Sequence, residues 1–208
     1  MKFNKPKINN CVPKKFIECI EENEFYNGKF NEIIDEYLTL KSVTFDSCIF
    51  ENIDFSKVTF ENINLIDVIF KNCDLSNQNF NDKMLTRVVF ESCKLMGTNF
   101  INSSLRDVEF HKSNCKYINL SSSKINNFKI KDSNFNEVTF NECDIKNVEF
   151  KNVQFYGAEF LNARLENIDF SESDINGIIF DKKSLEGIII NRFQTHSIVT
   201  MFGVQIKD

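Results

Sequence analysis

The fold is decided by residues 45–70, which read FDSCIFENIDFSKVTFENINLIDVIF. In this stretch a large apolar residue recurs every five positions, and the same phase continues from Leu40 to Ile190. Thirty-one positions follow it, and Cys115 is the only one that is not Leu, Ile or Phe. An α-helix repeats its face about every 3.6 residues and a strand at every second residue, so neither alone explains a period of five.

A second, smaller residue lies two positions before most of the large ones, for example at Val43, Cys48 and Val58. Residues two apart in an extended segment point the same way, so each unit is expected to turn one small and one large residue inward. The other three positions are mostly polar, which suits turns and solvent. Asn recurs at the unit end, where a turn needs a left-handed backbone that Asn tolerates; the examples are Asn52, Asn72, Asn127, Asn147 and Asn167.

The large residues fall into four columns when they are sorted by a period of twenty. Two facing columns are rich in phenylalanine, and two carry mainly smaller aliphatic residues such as Leu65 and Leu85. Large and small columns that alternate would fill a square interior at the density of protein cores. The predicted structural core consists of Phe50, Phe70, Phe90, Phe110 and Phe150 in one column and Phe60, Phe80, Phe100, Phe140 and Phe160 in the other.

The units resemble those of the pentapeptide-repeat family, which read roughly A(D/N)LXX. The matching central pairs are Asp54-Phe55, Asp74-Leu75, Asn119-Leu120, Asp144-Ile145, Asp169-Phe170 and Asp174-Ile175. The resemblance implies an all-β fold, a right-handed quadrilateral parallel β-helix. The run from Leu40 to Ile190 would give about seven to eight coils, at roughly 4.8 Å per stacked strand.

The two ends depart from the repeat and are expected to form short helical caps. Residues 1–37 are predicted to be an N-terminal cap, 38–192 the β-helix and 193–208 a C-terminal cap. Pro13 is expected in the first turn of a helix that extends to Glu22, with Phe16, Ile17 and Ile20 on its apolar side. Phe25 and Phe30 would belong to a transitional coil. At the other end, a helix over 193–202 would stop at Gly203 and be followed by a strand at 204–206.

Composition points to a protein without a membrane segment or a metal centre. The chain has 208 residues, 42% of them hydrophobic, and a formal net charge of −5. No run approaches the ~20 apolar residues of a membrane span, and the start of the chain lacks a signal-peptide pattern. Seven cysteines without a CxxC motif favour reduced thiols and a cytoplasmic location. Neither His111 nor His196 lies beside a cysteine, so we expect no metal and no cofactor.

No catalytic motif is present, and we expect the chain not to be an enzyme. It has no glycine-rich phosphate loop, no HExxH and no GxSxG. Three residues depart from the lattice at small inward sites, where a buried amide or charge is costly; they are Gln78, Lys83 and Lys183. The consecutive departures at Gln78 and Lys83 suggest a bulge or an altered turn between Ser76 and Met84.

One outward column is apolar in three successive coils. Ile49, Ile69 and Val89 are spaced by twenty and are predicted to form an exposed aliphatic ladder. Exposed apolar stripes usually mark a contact, so the ladder is expected to be covered either by the N-terminal helix or by a partner. The alternative is that β-branched residues merely stabilise the strands.

The acidic balance disfavours direct binding to nucleic acid. The predicted function is that of an interaction or scaffold solenoid with an unknown protein partner, as a monomer or as a homodimer through the C-terminal cap. The family resemblance adds an alternative, because its Qnr-type members bind type II DNA topoisomerases such as gyrase, protect them from quinolones and are thought to imitate duplex DNA. On that alternative, the binding residues would lie on the most acidic face, at Glu61, Asp82 and Glu142.

Overall fold

The computed structural model describes residues 2–207 and shows the predicted four-sided parallel β-helix of about eight coils. The fold prediction is therefore confirmed. The elements are β1 (Val12–Pro13), α1 (Phe16–Glu22), β2 (Phe25–Tyr26), β3 (Gly28–Phe30), β4 (Leu38–Lys41), β5 (Thr44–Glu51), β6 (Val58–Glu61), β7 (Asn64–Lys71), β8 (Met84–Glu91), β9 (Ser104–His111), β10 (Lys124–Lys131), β11 (Asp144–Lys151), β12 (Glu159–Phe160), β13 (Ile179–Phe180), a 3-10 helix (Arg192–Gln194) and α2 (Thr195–Thr200).

Each coil pairs with the next at a spacing of twenty residues. The main sheet has the order β1-β3-β5-β7-β8-β9-β10-β11, with β2 also paired to β5, and every pairing is parallel. Its registers join Phe45 to Leu65 and Ile69 to Val89. Shorter sheets join β4 to β6 and β12 to β13, and isolated parallel bridges link further coils. The five-residue lattice thus becomes straight columns along the rod axis.

The inward residues form one continuous hydrophobic column. All ten phenylalanines of the predicted core are buried. The rings of Phe50, Phe70, Phe90 and Phe110 stack with centroids 5.1, 5.3 and 4.8 Å apart. Each coil therefore buries its large side chains mainly against its two neighbours, as expected for a solenoid.

The corners use the left-handed backbone that the asparagine pattern predicts. Asn52 and Asn72 have φ values of 59° and 53°, and Asn127, Asn147 and Asn167 have φ values of 54°, 52° and 63°. Stacked corner side chains also bond to each other, since Asn72 Nδ2 donates to Asn52 Oδ1 at 2.6 Å. Asparagine suits these corners because it tolerates this conformation and supplies both a donor and an acceptor.

The segment from Ser76 to Met84 keeps the turn pattern of the neighbouring coils, so no bulge is present there. Gln78 is buried, and its Nε2 donates to the carbonyl oxygens of Phe55 and Val58 at 2.9 and 2.8 Å. Lys83 is half-buried, and its Nζ donates to Asn62 Oδ1 at 2.9 Å. Lys183 does not occupy an inward site. It is exposed in a run of turns, and Ser184 is buried instead.

The N-terminal end is closed by α1, with differences from the predicted helix. The helix begins at Phe16, so the prediction that Pro13 lies in its first turn is wrong: Pro13 lies in β1, paired with Lys29. Phe16 and Cys19 are buried, whereas Ile17 is exposed because it projects from the opposite side of the helix. The Phe16 ring packs against Phe25 and Phe30 with centroids 5.2 and 5.9 Å away.

The C-terminal end is closed by the 3-10 helix and α2, and Gly203 follows with the expected positive φ of 72°. Gln194 is buried and donates from Nε2 to the carbonyl oxygens of Phe170 and Ser173 at 2.9 and 2.7 Å. The predicted strand at 204–206 is wrong, since these residues are exposed and form no strand. Within residues 2–207, no helix has the length and apolar character needed to cross a membrane.

Candidate interaction surfaces

The aliphatic ladder is a real column on the main sheet. The registers pair Ile49 with Ile69, Ile69 with Val89, and Val89 with Glu109. Lys129 continues the column after Glu109. Ile49, Ile69 and Val89 are each half-buried rather than fully exposed. The ladder is therefore flanked by other atoms, and α1 does not supply them because that helix packs on the end of the core.

Along the adjacent corner column of Ser47, Asp67 and Asp107 lies the extended segment of residues 2–11, which we call the N-terminal strap. Its contacts reach successively more distant coils as the residue number falls. Cys11 Sγ donates to Ser47 O at 2.9 Å, the Lys7 backbone N–H donates to Asp67 Oδ1 at 2.7 Å, and the Asn4 backbone N–H donates to Asp107 Oδ1 at 2.9 Å. The strap therefore runs along the rod axis, across the coils.

The spacing of the Lys7 and Asn4 contacts fits an extended chain. Asp67 and Asp107 are two coils apart, which is roughly 10 Å at about 4.8 Å per coil. Lys7 and Asn4 are three residues apart, which also spans roughly 10 Å in an extended chain at about 3.3 Å per residue. Three extended strap residues thus cover about the same distance as two coils, and both carboxylates can accept from a backbone N–H of the strap.

Asp107 binds Asn4 through two hydrogen bonds. Its Oδ1 accepts from the Asn4 backbone N–H, and its Oδ2 accepts from Asn4 Nδ2 at 3.1 Å. Oδ1 also accepts from Asn127 Nδ2 at 3.0 Å. Asp107 is only 2% exposed. A buried carboxylate needs such donors, because an unpaired one would lose its hydration without compensation.

Asp67 forms the second anchor. It is 5% exposed, and Arg87 donates to its two oxygens from Nε and Nη2 at 2.5 and 2.6 Å. Burial raises the pKa of this carboxyl, but the hydrogen bonds from Arg87 and from the Lys7 backbone outweigh it and hold the pKa below its ordinary value. The carboxylate is thus charged at neutral pH and aimed at the strap.

The strap itself is two-sided. Phe3, Pro6 and Ile8 are half-buried, whereas Lys2, Lys5 and Lys7 are exposed at the level of the whole residue. The Phe3 ring lies 4.8 Å from Lys129 Nζ, on the ladder column itself. The apolar side of the strap thus faces the rod, and its basic side faces solvent.

Sequence reasoning found the ladder but missed the strap and its two anchors. Asp67 and Asp107 occupy the corner position that was interpreted only as a turn, and both have the left-handed backbone of that corner, with φ of 55° and 56°. A signal was present: the corner column reads Asp67, Arg87, Asp107 where later coils carry asparagine. The strap has no five-residue phase, so nothing in its own pattern indicates its path.

The predicted acidic residues lie on a different part of the rod. Glu61, Asp82 and Glu142 are all exposed. Asp82 and Glu142 share one corner column, but the two coils between them carry Asn102 and Ser122. Asn102 Nδ2 donates to Asp82 Oδ1 at 2.7 Å, and Ser122 Oγ donates to Glu142 Oε2 at 3.0 Å.

Glu61 is also partly neutralised, because it pairs with Lys41 at 3.1 Å. The three carboxylates do not form a close cluster. The negative charge on this face is sparse, with neutral or basic partners beside each group.

The C-terminal end carries exposed apolar side chains. Phe193 is 78% exposed and Phe202 is 60% exposed, and Val204 and Ile206 are exposed as well. A surface depression of about 390 Å³ in the last coils is lined by residues that include Arg164, Glu166 and Lys183. Within residues 2–207, no group of His, Cys, Asp and Glu side chains is arranged to hold a metal ion.

Solved structures with some likeness include three repeat proteins. The plasmid-mediated fluoroquinolone resistance protein QnrB1 is 16% identical, with a TM-score of 0.42 over 98% of this chain and 95% of that one. HetL, involved in heterocyst differentiation regulation in the cyanobacterium Nostoc, is 13% identical, with a TM-score of 0.44 over 85% and 89%. A pentapeptide repeat protein from the Arabidopsis thaliana thylakoid lumen is 12% identical, with a TM-score of 0.35 over 61% and 84%. Likenesses of this size carry no argument about function.

Comparison with curated proteins gives no match. Three family models do match: "Pentapeptide repeat region" over 63–140, "Pentapeptide repeats (8 copies)" over 133–171, and "SV2A/B/C luminal domain" over 3–90. The two pentapeptide models together span 63–171, which is more than half of the chain, and they coincide with the coils whose twenty-residue register is unbroken. The chain belongs to the pentapeptide-repeat family.

Proposed function

We propose that this protein is a non-enzymatic interaction scaffold of the cytoplasm, which presents the face beside the aliphatic ladder to a protein partner. The observation that carries the proposal is the ladder itself. Ile49, Ile69 and Val89 are in register on three successive coils, outside a core that is already filled. Apolar side chains add nothing to solubility there, and aligned apolar stripes are typical of contact surfaces.

The chemistry of the described surface supports this function over catalysis. Several acidic and basic groups pair with one another between neighbouring coils, as do Lys29 with Glu51 and Lys129 with Glu149. A catalytic site needs converging groups with shifted pKa values in a pocket. The pKa values of Cys48 and Cys143 are raised to about 12 by burial, which makes these thiols inert rather than nucleophilic.

The test is capture of binding proteins from extracts by the immobilised wild type and an Ile69→Lys variant. The proposal expects a bound protein that persists at high salt, because apolar contacts are not screened, and that is lost with Ile69→Lys. Thr59→Lys, which introduces the same charge at an exposed outward position of β6 on a separate sheet, serves as the matched control and should retain the partner. Identical capture by all three proteins would contradict the proposal.

The second candidate is binding to a type II DNA topoisomerase, for which the exposed carboxylates of Glu61, Asp82 and Glu142 are the supporting observation. It is tested by titrating the protein into gyrase supercoiling reactions with and without a quinolone. A complex of this kind would weaken with salt and be lost when the three carboxylates are replaced by lysine. No effect on supercoiling at micromolar protein would remove this candidate.

We also propose that the C-terminal end associates with a second copy of this chain. Phe193, Phe202, Val204 and Ile206 are exposed at the same end of the rod. A twofold contact between two such ends would bury identical apolar groups on both copies and give a closed dimer. The ladder face would remain accessible on both copies.

A further inference from the structure

The strap occupies the ladder side of the rod in the manner of a bound peptide. It contributes an extended backbone, an asparagine bonded to Asp107 and three partly buried apolar side chains, and strand pairing with the solenoid begins just after it, at β1. We propose that this side of the rod is a recognition groove for an extended basic segment of a partner protein. The strap binds this groove intramolecularly and competes with the partner segment. The inference deepens the proposed scaffold function and rests on it.

The recognition chemistry can be stated from the contacts. Asp107 would accept hydrogen bonds from both the backbone N–H and the side-chain amide of an asparagine, as it does from Asn4. Asp67 would accept a hydrogen bond from the backbone N–H three residues after that asparagine, as it does from Lys7. A residue without a side-chain donor at the asparagine position cannot make the second bond to this carboxylate. The groove therefore selects for sequence at one position and for extended backbone at the other.

Charge complementarity identifies the occupant as basic. The strap carries Lys2, Lys5 and Lys7, and it lies on a chain of net charge −5 beside Asp67, Asp107 and Glu109. Arg87 offsets Asp67, and Lys129, which lies beside Phe3, is offset by Glu149. Asp107, in contrast, is held by neutral amides. A basic segment would gain from the remaining negative charge, whereas an acidic one would be repelled.

The strap can leave without disturbing the core. Asn10 has a left-handed φ of 57° at the junction between the strap and β1. The strap side chains that face the rod are half-buried and none belongs to the hydrophobic core. A tethered competitor acts at an effective concentration in the millimolar range, so only a segment that binds better, or one delivered while the strap is released, would occupy the groove.

The experiment uses the full chain and a fluorescent peptide with the sequence of residues 2–10, KFNKPKINN. An Asn4→Asp chain places a carboxylate against Asp107 and should release its own strap. We expect this variant to bind the peptide at least tenfold tighter than the wild type does, as measured by fluorescence polarisation. Asn9→Asp, which makes the same charge change elsewhere in the strap, should bind the peptide like the wild type.

Two further comparisons make the result specific. A scrambled peptide of the same composition should bind at least tenfold more weakly to the Asn4→Asp chain, and the combined Asn4→Asp, Asp107→Asn chain should lose the gain in affinity. Equal binding of the scrambled peptide would mean attraction by charge alone and would overturn the proposal. So would an Asn4→Asp chain that melts like the wild type yet binds the peptide no better, because the strap would then be a fixed structural element.

Light scattering on the same samples separates the occupants. If the groove binds a segment of a partner protein, the Asn4→Asp and wild-type chains should have the same oligomeric state. If straps were instead exchanged between copies, the Asn4→Asp chain would have a smaller mass than the wild type, which would overturn the assignment to a partner. The peptide experiment needs no natural partner, so it tests the groove separately from the scaffold function. If the peptide experiment fails while Ile69→Lys still abolishes capture of a partner, the groove is ruled out and the scaffold function is supported.

Discussion

Asp107 holds Asn4, a residue 103 positions earlier in the chain, through both of its carboxylate oxygens. In a solenoid each coil contacts mainly the next one, so a contact of this range joins parts of the rod that would otherwise be independent. The strap thus connects the coil of Ser47 with the coils of Asp67 and Asp107. It couples the N-terminal cap to the middle of the rod.

The Arg87–Asp67 pair is expected to stabilise the strap and the coils beneath it. Replacing Arg87 with methionine keeps most of the side-chain volume but leaves the 5%-exposed Asp67 with only the Lys7 N–H as a donor. Leaving a buried group under-satisfied costs about 1–3 kcal/mol. We expect Arg87→Met to lower the free energy of unfolding by that amount, as measured by urea denaturation.

Arg106 provides the matched control for that variant. It lies in β9, the strand that pairs with β8, but one residue before the corner column. Its side chain is exposed and makes no ion pair in the described part of the chain. Arg106→Met should change the free energy of unfolding by less than about 0.5 kcal/mol. Equal losses from the two substitutions would show that Asp67 is adequately hydrated without its arginine.

Lowering the pH should remove the contribution of Asp67 to the free energy of unfolding within a defined pH range. Because the pKa of Asp67 is depressed in the folded protein, its stabilising effect is complete above the ordinary aspartate pKa of about 3.9 and is lost as the pH falls through the folded value. We expect the difference in unfolding free energy between the wild type and Asp67→Asn to be constant from pH 8 to 5 and to shrink below about pH 4. A difference that already shrinks near pH 6 would contradict the depressed pKa.

The sequence was sufficient for the lattice because the same physical choice is repeated at every unit. Each unit must bury one large residue and turn at a left-handed corner, so Phe90 and Asn72 are predictable from position alone. The strap was not predictable, because Asn4 and Asp107 meet only after the coils from β3 to β9 have been built. The start of α1 was misplaced for a related reason: Pro13 suits a first helical turn locally, but pairing with β3 makes it a strand residue.

Thiol reactivity provides a local report on the strap. Cys11 is half-buried and the other six cysteines are buried. Burial also raises the pKa of Cys48 and Cys143 to about 12 and that of Cys115 well above its ordinary value, so these three thiols carry little thiolate at pH 8. We expect Ellman's reagent to modify one thiol of the native protein, and Cys11→Ser to abolish that reaction.

Full denaturation should release all seven thiols, which gives the total for comparison. The native reaction should also be slow, since burial raises the pKa of Cys11 and its Sγ donates to Ser47 O. Rapid modification of several thiols without denaturant would instead indicate that the coils open, because the remaining cysteines are accessible only through the core.

The exposed apolar end should make the oligomeric state depend on Phe193 and Phe202. If two copies meet through these ends, the wild type is a dimer at micromolar concentration, and aspartate at both positions places charges in an interface that excludes water. We expect the Phe193→Asp, Phe202→Asp protein to have half the mass by light scattering, with an unchanged far-UV spectrum. Tyr37→Asp, on an equally exposed residue at the other end, is the control and should remain dimeric. A wild type that is monomeric at all concentrations would rule out this contact, and the exposed rings would then need another partner.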